Sequence, residues 1–420
     1  MENRPTLSQS VRIWSKVGLL SFGGPAAQIA LMHREIVDRQ NWLSEAQFLN
    51  ALNFCMLLPG PEAMQLATYA GWRTNGVLGG LIAGLLFVIP GALVIALLAT
   101  IYICFGELPL VSALFLGVKS TVVIIVIEAL LKVSKKALKT KSHCMIATIS
   151  FISIFFLNLP YPLIVFGAAL FGYLAFPNKA DFEPVSQKQP IHKTLITIIV
   201  WLTVWWAPIA IIHLIFDYQF LTEIMIFFSK LAVVTFGGAY AVLTYMTQEV
   251  VSAKNWLTAG QMMDGLGLAE TTPGPLILVT EFVGFIAGYK EGGISTAIIA
   301  AFLTLWVTFV PCFLWIFAGA PYIDWIGSKP RLHGALSGIT AAVVGVILNL
   351  STWFTVHVFF ENINFLKFGS ITVLWPEIST LNITASALAL FSAWLLLKQH
   401  WNVIWILIVN ALLAAIISTL

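Results

Sequence analysis

Long apolar stretches alternate with short polar breaks along the whole chain. The pattern predicts membrane-crossing helices of about 20 residues each. The stretches fall near residues 12–36, 46–71, 78–104, 109–131, 143–158 and 160–176. A polar stretch follows, Pro177 to Lys193, with Asn178, Lys179, Asp181, Glu183, Lys188 and Gln189, and reads as an inter-domain linker. One further apolar stretch lies near 194–216. Six more lie near 222–248, 261–287, 294–318, 332–357, 379–397 and 400–418. Six, one and six give about thirteen spans and an all-α polytopic membrane protein.

The pattern also repeats. Lys16 to Pro61 aligns without a gap onto Lys230 to Pro275, at a constant offset of 214 from Phe22 to Phe236. Lys16, Phe22-Gly23-Gly24, Ala27, Met32, Glu35, Val37, Asn41-Trp42-Leu43, Gln47, Leu52 and Pro59-Gly60-Pro61 recur. Their counterparts are Lys230, Phe236-Gly237-Gly238, Ala241, Met246, Glu249, Val251, Asn255-Trp256-Leu257, Gln261, Leu266 and Pro273-Gly274-Pro275. Further on, Pro90 matches Pro311 at an offset of 221, and Leu116-Gly117-Val118 resembles Ser337-Gly338-Ile339. A loop insertion near Lys290-Glu291-Gly292-Gly293 would explain the change of offset. The chain therefore divides into a first repeat (1–176), a polar linker with one extra span (177–216) and a second repeat (217–420), each repeat holding about six spans. An odd number of spans before the second repeat inverts it relative to the first, as in transporters built from inverted-topology repeats.

Charge placement orients the chain. With the N-terminus inside, cytoplasmic segments hold Arg4, Arg12, Arg73, the run Lys132, Lys135, Lys136, Lys139 and Lys141, then Lys179, Lys188, Lys193, Lys254, Lys329, Arg331 and Lys398. Outside segments hold Arg34, Arg39, Lys290 and Lys367. The excess of cations inside places the N-terminus in the cytoplasm. Arg4, Arg12 and Lys16 ahead of an apolar run imitate a secretory signal, but the same segment recurs at Lys230 and so belongs to the mature fold.

Composition agrees. Of 420 residues, 59% are hydrophobic and only 10% charged, with mean hydropathy +0.92; soluble domains carry about 25% charged residues. A net charge of +3 gives no reason to expect nucleic acid. Cys55, Cys104, Cys144 and Cys312 lie far apart in apolar surroundings and read as small core residues. The seven histidines show no metal-ligand spacing. Gly265-Leu266-Gly267-Leu268-Ala269-Glu270 lacks the third glycine of a dinucleotide loop, and no phosphate-loop lysine motif is present. No cofactor, metal or catalytic residue is expected.

The chemistry concentrates at two breaks per repeat. Phe22-Gly23-Gly24-Pro25 is matched by Phe236-Gly237-Gly238-Ala239, and Pro59-Gly60-Pro61 by Pro273-Gly274-Pro275. Paired glycines weaken a helix and proline removes a donor, so one helix should end at Gly23-Gly24 and another start at Pro25. Inside a bilayer such breaks must be buried in protein or line a cavity. Their free N–H groups and positive dipole ends suit an anion; a plain kink or close glycine packing is the other reading. Around the breaks stand Glu62, Gln65, Glu270, Thr271, Thr272 and Glu281. Glu62 and Glu270 could carry protons or simply cap broken helices. Lys119, whose counterpart is Thr340, could face an anionic substrate or pair with a neighbour such as Glu128. Arg73 could anchor at the inner interface or grip an oxyanion with two hydrogen bonds. Lys16 and Lys230 recur, as do Glu35 and Glu249, which suit gating or helix pairing. Trp42 and Trp256 suit interfacial anchors.

Ser21-Phe22-Gly23-Gly24-Pro25, Leu58-Pro59-Gly60-Pro61-Glu62-Ala63, Gln65-Leu66-Ala67-Thr68-Tyr69 and Gly71-Trp72-Arg73 resemble motifs of the chromate ion transporter family. So do Thr235-Phe236-Gly237-Gly238-Ala239-Tyr240 and Glu270-Thr271-Thr272-Pro273-Gly274-Pro275. The resemblance covers nearly the whole chain, in the family's long two-domain form. It implies a carrier of the bacterial inner membrane that exports chromate and so confers chromate resistance. Sulfate shares the charge and tetrahedral shape and is the natural competitor. Phe22, Gly23, Gly24, Pro25, Pro59, Gly60, Pro61, Gln65, Arg73, Lys119, Phe236, Gly237, Gly238, Pro273, Gly274 and Pro275 are the candidates for substrate binding. Glu62, Glu270, Thr271, Glu35, Glu249, Lys16 and Lys230 are those for coupling or gating. Ala239 and Leu276 replace Pro25 and Glu62 in the second repeat, which favours the first for substrate handling.

Export of a dianion from a cell negative inside gains about 2.3 kcal/mol per charge per 100 mV, so a proton antiporter is one option and the potential alone is another. A sulfate carrier, an anion channel and a membrane enzyme are the competing readings. A homodimer in the bilayer is compatible with the sequence.

Overall fold

The computed structural model describes residues 5–106, 108–176, 191–236, 239–323, 325, 329–369 and 371–419. Gly237, Gly238 and most of the polar linker lie outside the described residues. The described chain is helical apart from one β-hairpin. Among the described residues, five helices are long and apolar enough to cross a membrane: Glu62–Phe105, Pro109–Ala137, Ile191–Leu214, Leu276–Tyr322 and Pro330–Phe359. Shorter apolar helices cover Lys141–Phe155, Tyr161–Ala175, Ile383–Lys398 and Val403–Thr419.

The sequence breaks are real breaks. Helix α1 (Leu7–Leu20) is followed by α2 (Gly24–Met32), which carries Pro25 in its first turn and runs into a π-turn, His33–Arg39. Helix α3 (Glu45–Leu57) stops before Pro59-Gly60-Pro61, and α4 (Glu62–Phe105) begins after it. Thus the stretch 12–36 is two short helices, and 46–71 is α3 with the first part of α4. The second repeat reproduces this with α9 (Gln219–Val234), α10 (Ala239–Thr247) and its π-turn Gln248–Ala253. Next come α11 (Ala259–Thr271), a 3-10 turn at Leu276–Leu278 and α12 (Val279–Gly319).

Several repeated residues now have a local cause. Asn41 and Asn255 take positive φ, 51° and 53°, a conformation asparagine tolerates better than most side chains. Gln47 closes a capping box with Ser44 ahead of α3, and Gln261 closes the same box with Thr258 ahead of α11. Each box satisfies two donors that a helix start leaves unpaired. Trp42 and Trp256 are buried. They are packing residues inside the protein rather than anchors at its lipid surface.

Both long helices are hairpins. Helix α4 turns at Asn75-Gly76 and α12 at Gly292-Gly293, with the second residue at φ +66° and +73°. These turns match at an offset of 217, between the 214 before and the 221 after. Thirteen residues precede the turn in both α4 and α12, so three of the extra residues of the second repeat are the 3-10 turn Leu276–Leu278, which has no counterpart before α4. The other four lie between the Gly292-Gly293 turn and Ala300, the counterpart of Gly79, beside the expected insertion. Small residues let the arms touch: a Cβ on Gly71 would lie 2.3 Å from the Gly79 carbonyl, and one on Gly288 2.8 Å from the Ala300 methyl.

The chain forms two compact units, and each draws on both repeats. The first is Met1–Ala99, Lys179–Ala239 and Thr272–Leu332; the second is Thr100–Asn178, Tyr240–Thr271 and His333–Leu420. In the first unit, α12 packs on α9 and on α8 (Ile191–Leu214), the extra linking span of the sequence. Trp201 stacks on Phe313 at 5.5 Å. Trp306 donates to the Val204 carbonyl and Trp205 to Ser229 Oγ, so these two indoles of the apolar seam have acceptors. In the second unit, α5 (Pro109–Ala137) is flanked by α14 (Ile383–Ala393) and α15 (Val403–Thr419). Thr121, Ser392 and Asn410 hydrogen-bond to one another where these helices meet. The unit also contains α6 (Lys141–Phe155), α7 (Tyr161–Ala175) and α13 (Pro330–Phe359). An antiparallel pair, β1 (Ile363–Phe368) and β2 (Ile371–Pro376), precedes α14 in the register Ile363↔Pro376. The pair falls between the stretches near 332–357 and 379–397, and Gly369-Ser370 between two apolar-rich runs is its sequence signal.

Helix α13 meets α7 through glycines. A Cβ on Gly338 would lie 2.2 Å from the Ala168 carbonyl, whereas one on Gly167 meets nothing within 4 Å. Gly338→Ala should therefore destabilise the purified protein by about 1–3 kcal/mol, the usual penalty of overpacking. Gly167→Ala should leave thermal unfolding in detergent unchanged or slightly raise its midpoint. Equal midpoints for the two variants would remove this contact as a constraint.

Candidate functional site

The four breaks belong to the first unit, and the described parts of them meet there by exchange between the repeats. The Gly60 N–H donates to the Thr235 carbonyl at 2.8 Å, and the Gly274 N–H donates to the Ser21 carbonyl at 2.9 Å. Each Pro-Gly-Pro thus binds the residue before the Phe-Gly-Gly of the other repeat. Ser21 and Thr235 are themselves fixed alike: their hydroxyls donate to the carbonyls four residues back, Val17 and Leu231, both at 2.5 Å. All four residues of the exchange hold broken backbone whose polar groups need partners away from water.

Packing repeats the exchange. Gly274 lies against Gly91, one residue past Pro90 of α4, and a Cβ on Gly91 would sit 2.1 Å from the Pro273 carbonyl. Gly60 lies against Cys312, one residue past Pro311 of α12, where a Cβ would meet Sγ at 2.9 Å. Gly60 and Gly274 also have φ of +119° and +91°, and Gly23 and Gly24 have +86° and +78°. Only glycine takes such values at little cost.

The first repeat alone supplies two glutamine clamps. Gln65 Nε2 donates to the Pro59 carbonyl at 2.6 Å. Gln28 Nε2 donates to the Gly274 carbonyl at 2.6 Å and to the Ser21 carbonyl at 3.3 Å. The equivalent positions, Phe282 on α12 and Val242, are apolar. Gln65 was legible in the sequence beside the first Pro-Gly-Pro. Gln28 was missed, although an amide four residues past a helix break in an apolar run is itself a signal. Glu62 opens α4 half-buried, in the first turn where a carboxylate meets the positive helix end.

Other candidates stand elsewhere. Arg73 is exposed at the far end of the first arm of α4, about three turns from Glu62. With Trp72, Thr74, Asn75 and Gly76 it lines an open cavity of about 530 Å³. Glu35, on the π-turn after α2, is 1% exposed and receives both Lys16 Nζ at 2.9 Å and Arg39 at 2.6 Å. That network ties α1 to the segment after α2. Lys230 is exposed on α9 and Glu249 half-buried on its π-turn; they fall in different compact units.

Lys119, Glu270 and Thr271 belong to the second unit. Glu270 is buried on α11 and accepts from the Tyr240 hydroxyl at 2.6 Å, while Thr271 donates to the Leu268 carbonyl. Lys119 on α5 forms an ion pair with Asp264 on α11, Nζ to Oδ1 3.1 Å. Glu128, the neighbour suggested by sequence, pairs with Lys132 instead at 2.7 Å. Nine residues along one helix separate Lys119 and Glu128 by about 13 Å. Asp264 was missed, although a carboxylate within Met262-Met263-Asp264-Gly265-Leu266 is the kind of intramembrane charge that marks a site. Among the described residues, no three His, Cys, Asp or Glu side chains converge as metal ligands.

Two experiments follow from this geometry. Gly60→Ala must strain a φ of +119° and displace Gln65 and Cys312; it should abolish transport while the protein still inserts in the membrane, as judged by yield and gel filtration. Wild-type flux in this variant would show that the crossed backbone bond is dispensable. In the Glu35 network, the pair of changes Lys16→Ala and Arg39→Ala leaves a buried carboxylate without a cation, which is strongly destabilising. Adding Glu35→Gln to that pair should restore several degrees of Tm.

The chromate transporter family profile matches residues 8–173 and again 222–416 of the chain. A chromate transport protein of Pseudomonas aeruginosa is 29% identical over 406 residues, covering 94% of this chain and 89% of the relative. A probable chromate transport protein of Synechococcus elongatus is 30% identical, covering 81% and 83%. An uncharacterized transporter of Methanocaldococcus jannaschii is 27% identical, covering 85% and 86%. No solved structure matches the chain.

Proposed function

The chain belongs to the chromate transporter family, a multi-pass membrane family, and from that premise we propose that it exports chromate across the bacterial inner membrane by secondary active transport. The observation that carries this reading is the reciprocal bonding of the breaks, Gly60 to Thr235 and Gly274 to Ser21. It gathers the starts of α2, α4 and the Leu276–Leu278 turn in one unit. Helix starts offer N–H groups and positive potential to an anion, and irregular backbone at membrane depth serves a pathway better than a wall.

Phe22, Gly23, Gly24, Pro25, Pro59, Gly60, Pro61 and Gln65, with Phe236, Gly237, Gly238, Pro273, Gly274 and Pro275, form the substrate-handling backbone in this reading. Lys119 supplies a cation and Arg73 a surface contact for the arriving oxyanion. Glu62, Glu270 and Thr271 are the coupling groups. The repeats face opposite ways, with the N-terminus in the cytoplasm. The lysines around the end of α5 support that orientation. The gradient that drives export is the membrane potential or protons. The protein moves its substrate unchanged, without enzymatic conversion.

Inside-out vesicles containing the protein test the proposal. Labelled chromate should accumulate saturably, only in energised membranes, with sulfate competing, and Gly23→Leu should abolish it because φ there is +86°. Accumulation of sulfate without chromate would move the protein to another oxyanion. Flux that does not saturate would make it a channel, and reduction of chromate by the purified protein would make it an enzyme.

A further inference from the structure

The second unit holds an ion pair built asymmetrically. Lys119 lies in the middle of α5 and Asp264 in the second turn of α11. The lysine side chain is 22% exposed, whereas the aspartate is 6% exposed. The carboxylate is thus buried behind an ammonium that still has an open side. Asp264 Oδ1 faces Lys119 Nζ at 3.1 Å, and Oδ2 accepts from the Tyr102 hydroxyl at 2.9 Å. Tyr102 is held in turn edge-on against Phe115 at 5.2 Å. The helices are pressed together here by Gly267, where a Cβ would lie 2.2 Å from Val118.

The ammonium also reaches the start of α11. A Cβ on Gly260 would lie 3.5 Å from Nζ, so the first turn of α11 leaves the space beside the ammonium clear. A cation near a helix start is electrostatically disfavoured without a nearby anion, and the same place favours an anion twice over. Asp264 is the anion that the protein itself provides. The titratable groups that face it are Lys119 from α5 and Tyr102 from α4; α15, which also packs on α11, contributes no ionisable side chain. The equivalents of Lys119 and Asp264 in the other repeats are Thr340 and Asn50, both uncharged, so this pair exists once.

We propose that Asp264 competes with the transported dianion for Lys119, so that oxyanion binding at the ammonium and protonation of Asp264 are one linked event. This rests on the reading of Lys119 as a substrate contact. In the empty site the pair is neutral. When a dianion takes the open side of the ammonium, two like charges meet across Nζ, and a proton from water moves onto the carboxylate of Asp264. The Tyr102 hydroxyl then keeps its acceptor on the neutral acid. The linkage makes oxyanion binding tighten as pH falls, and it returns the proton when the oxyanion leaves. Asp264 acts on the substrate only through Lys119.

Proteoliposomes with the full chain, assayed with labelled chromate and in parallel with labelled sulfate across a pH series, decide the matter. Lys119→Gln should raise KM about tenfold or more, with Lys132→Ala, on the exposed end of the same helix, as the unchanged control. Asp264→Asn removes the competitor and preserves the acceptor for Tyr102, so KM should fall about tenfold and become flat with pH. A carboxylate that only positions the lysine would give the opposite result: KM in Asp264→Asn rising as in Lys119→Gln, with the wild-type pH profile kept. That result overturns the proposal. Should Asp264→Asn fail to fold, Tyr102→Phe serves. It withdraws the second partner of Asp264, commits the carboxylate to Lys119 and should raise KM most at high pH; an unchanged KM and profile would also overturn the proposal. Failure of the functional reading is distinct: wild type then moves neither anion, or Lys119→Gln equals wild type for both.

Discussion

Two backbone hydrogen bonds organise the first unit. Gly60 to Thr235 and Gly274 to Ser21 join four helix breaks that lie more than 170 residues apart in the pairs they form. Each broken helix exposes N–H and C=O groups that cannot remain unpaired in hydrocarbon, where an orphan costs several kcal/mol. The exchange lets each repeat satisfy the other. It also explains why neither repeat closes on itself, since the compact units take segments from both.

The demands of that junction propagate outward. Gly91 and Cys312 receive the breaks on the second arms of the α4 and α12 hairpins, each next to a proline. Pro90 leaves the Leu86 carbonyl without its helical donor, and Gly18 of α1 brings its backbone against that carbonyl, where a Cβ would lie 2.0 Å away. Gln28 and Gln65 then bind carbonyls on both Pro-Gly-Pro segments. Because both glutamines come from the first repeat, the junction is symmetric in backbone and asymmetric in side chains.

Charge is handled by the same economy in each unit. Glu35 is buried beneath two cations, and Asp264 beneath one cation and a tyrosine. A doubly paired carboxylate is a brace, because removing one cation leaves another. A singly paired one with an accessible cation is exchangeable, because a second anion can reach the same ammonium. The contrast separates the doubly paired Glu35 from the singly paired Asp264, on which the proposed competition for Lys119 rests.

The sequence alone determined what is local. Apolar runs set the helices, Gly23-Gly24 and Pro59-Gly60-Pro61 set the breaks, and the repeated Asn41, Gln47, Asn255 and Gln261 set turns and caps whose partners lie within a few residues. The duplication was legible for the same reason, since local constraints leave the same residues at the same spacing. Tertiary structure decided everything that joins distant segments: which Pro-Gly-Pro meets which Phe-Gly-Gly, that Lys119 meets Asp264 rather than Glu128, and that Arg73 stands apart from the breaks. It also resolved an inferred insertion into the Leu276–Leu278 turn ahead of α12 and four residues after the Gly292-Gly293 turn. Periodicity records which face of a helix avoids water or polar groups. It does not record which other helix covers that face, because many apolar surfaces are interchangeable partners until backbone groups at the breaks must find specific donors and acceptors.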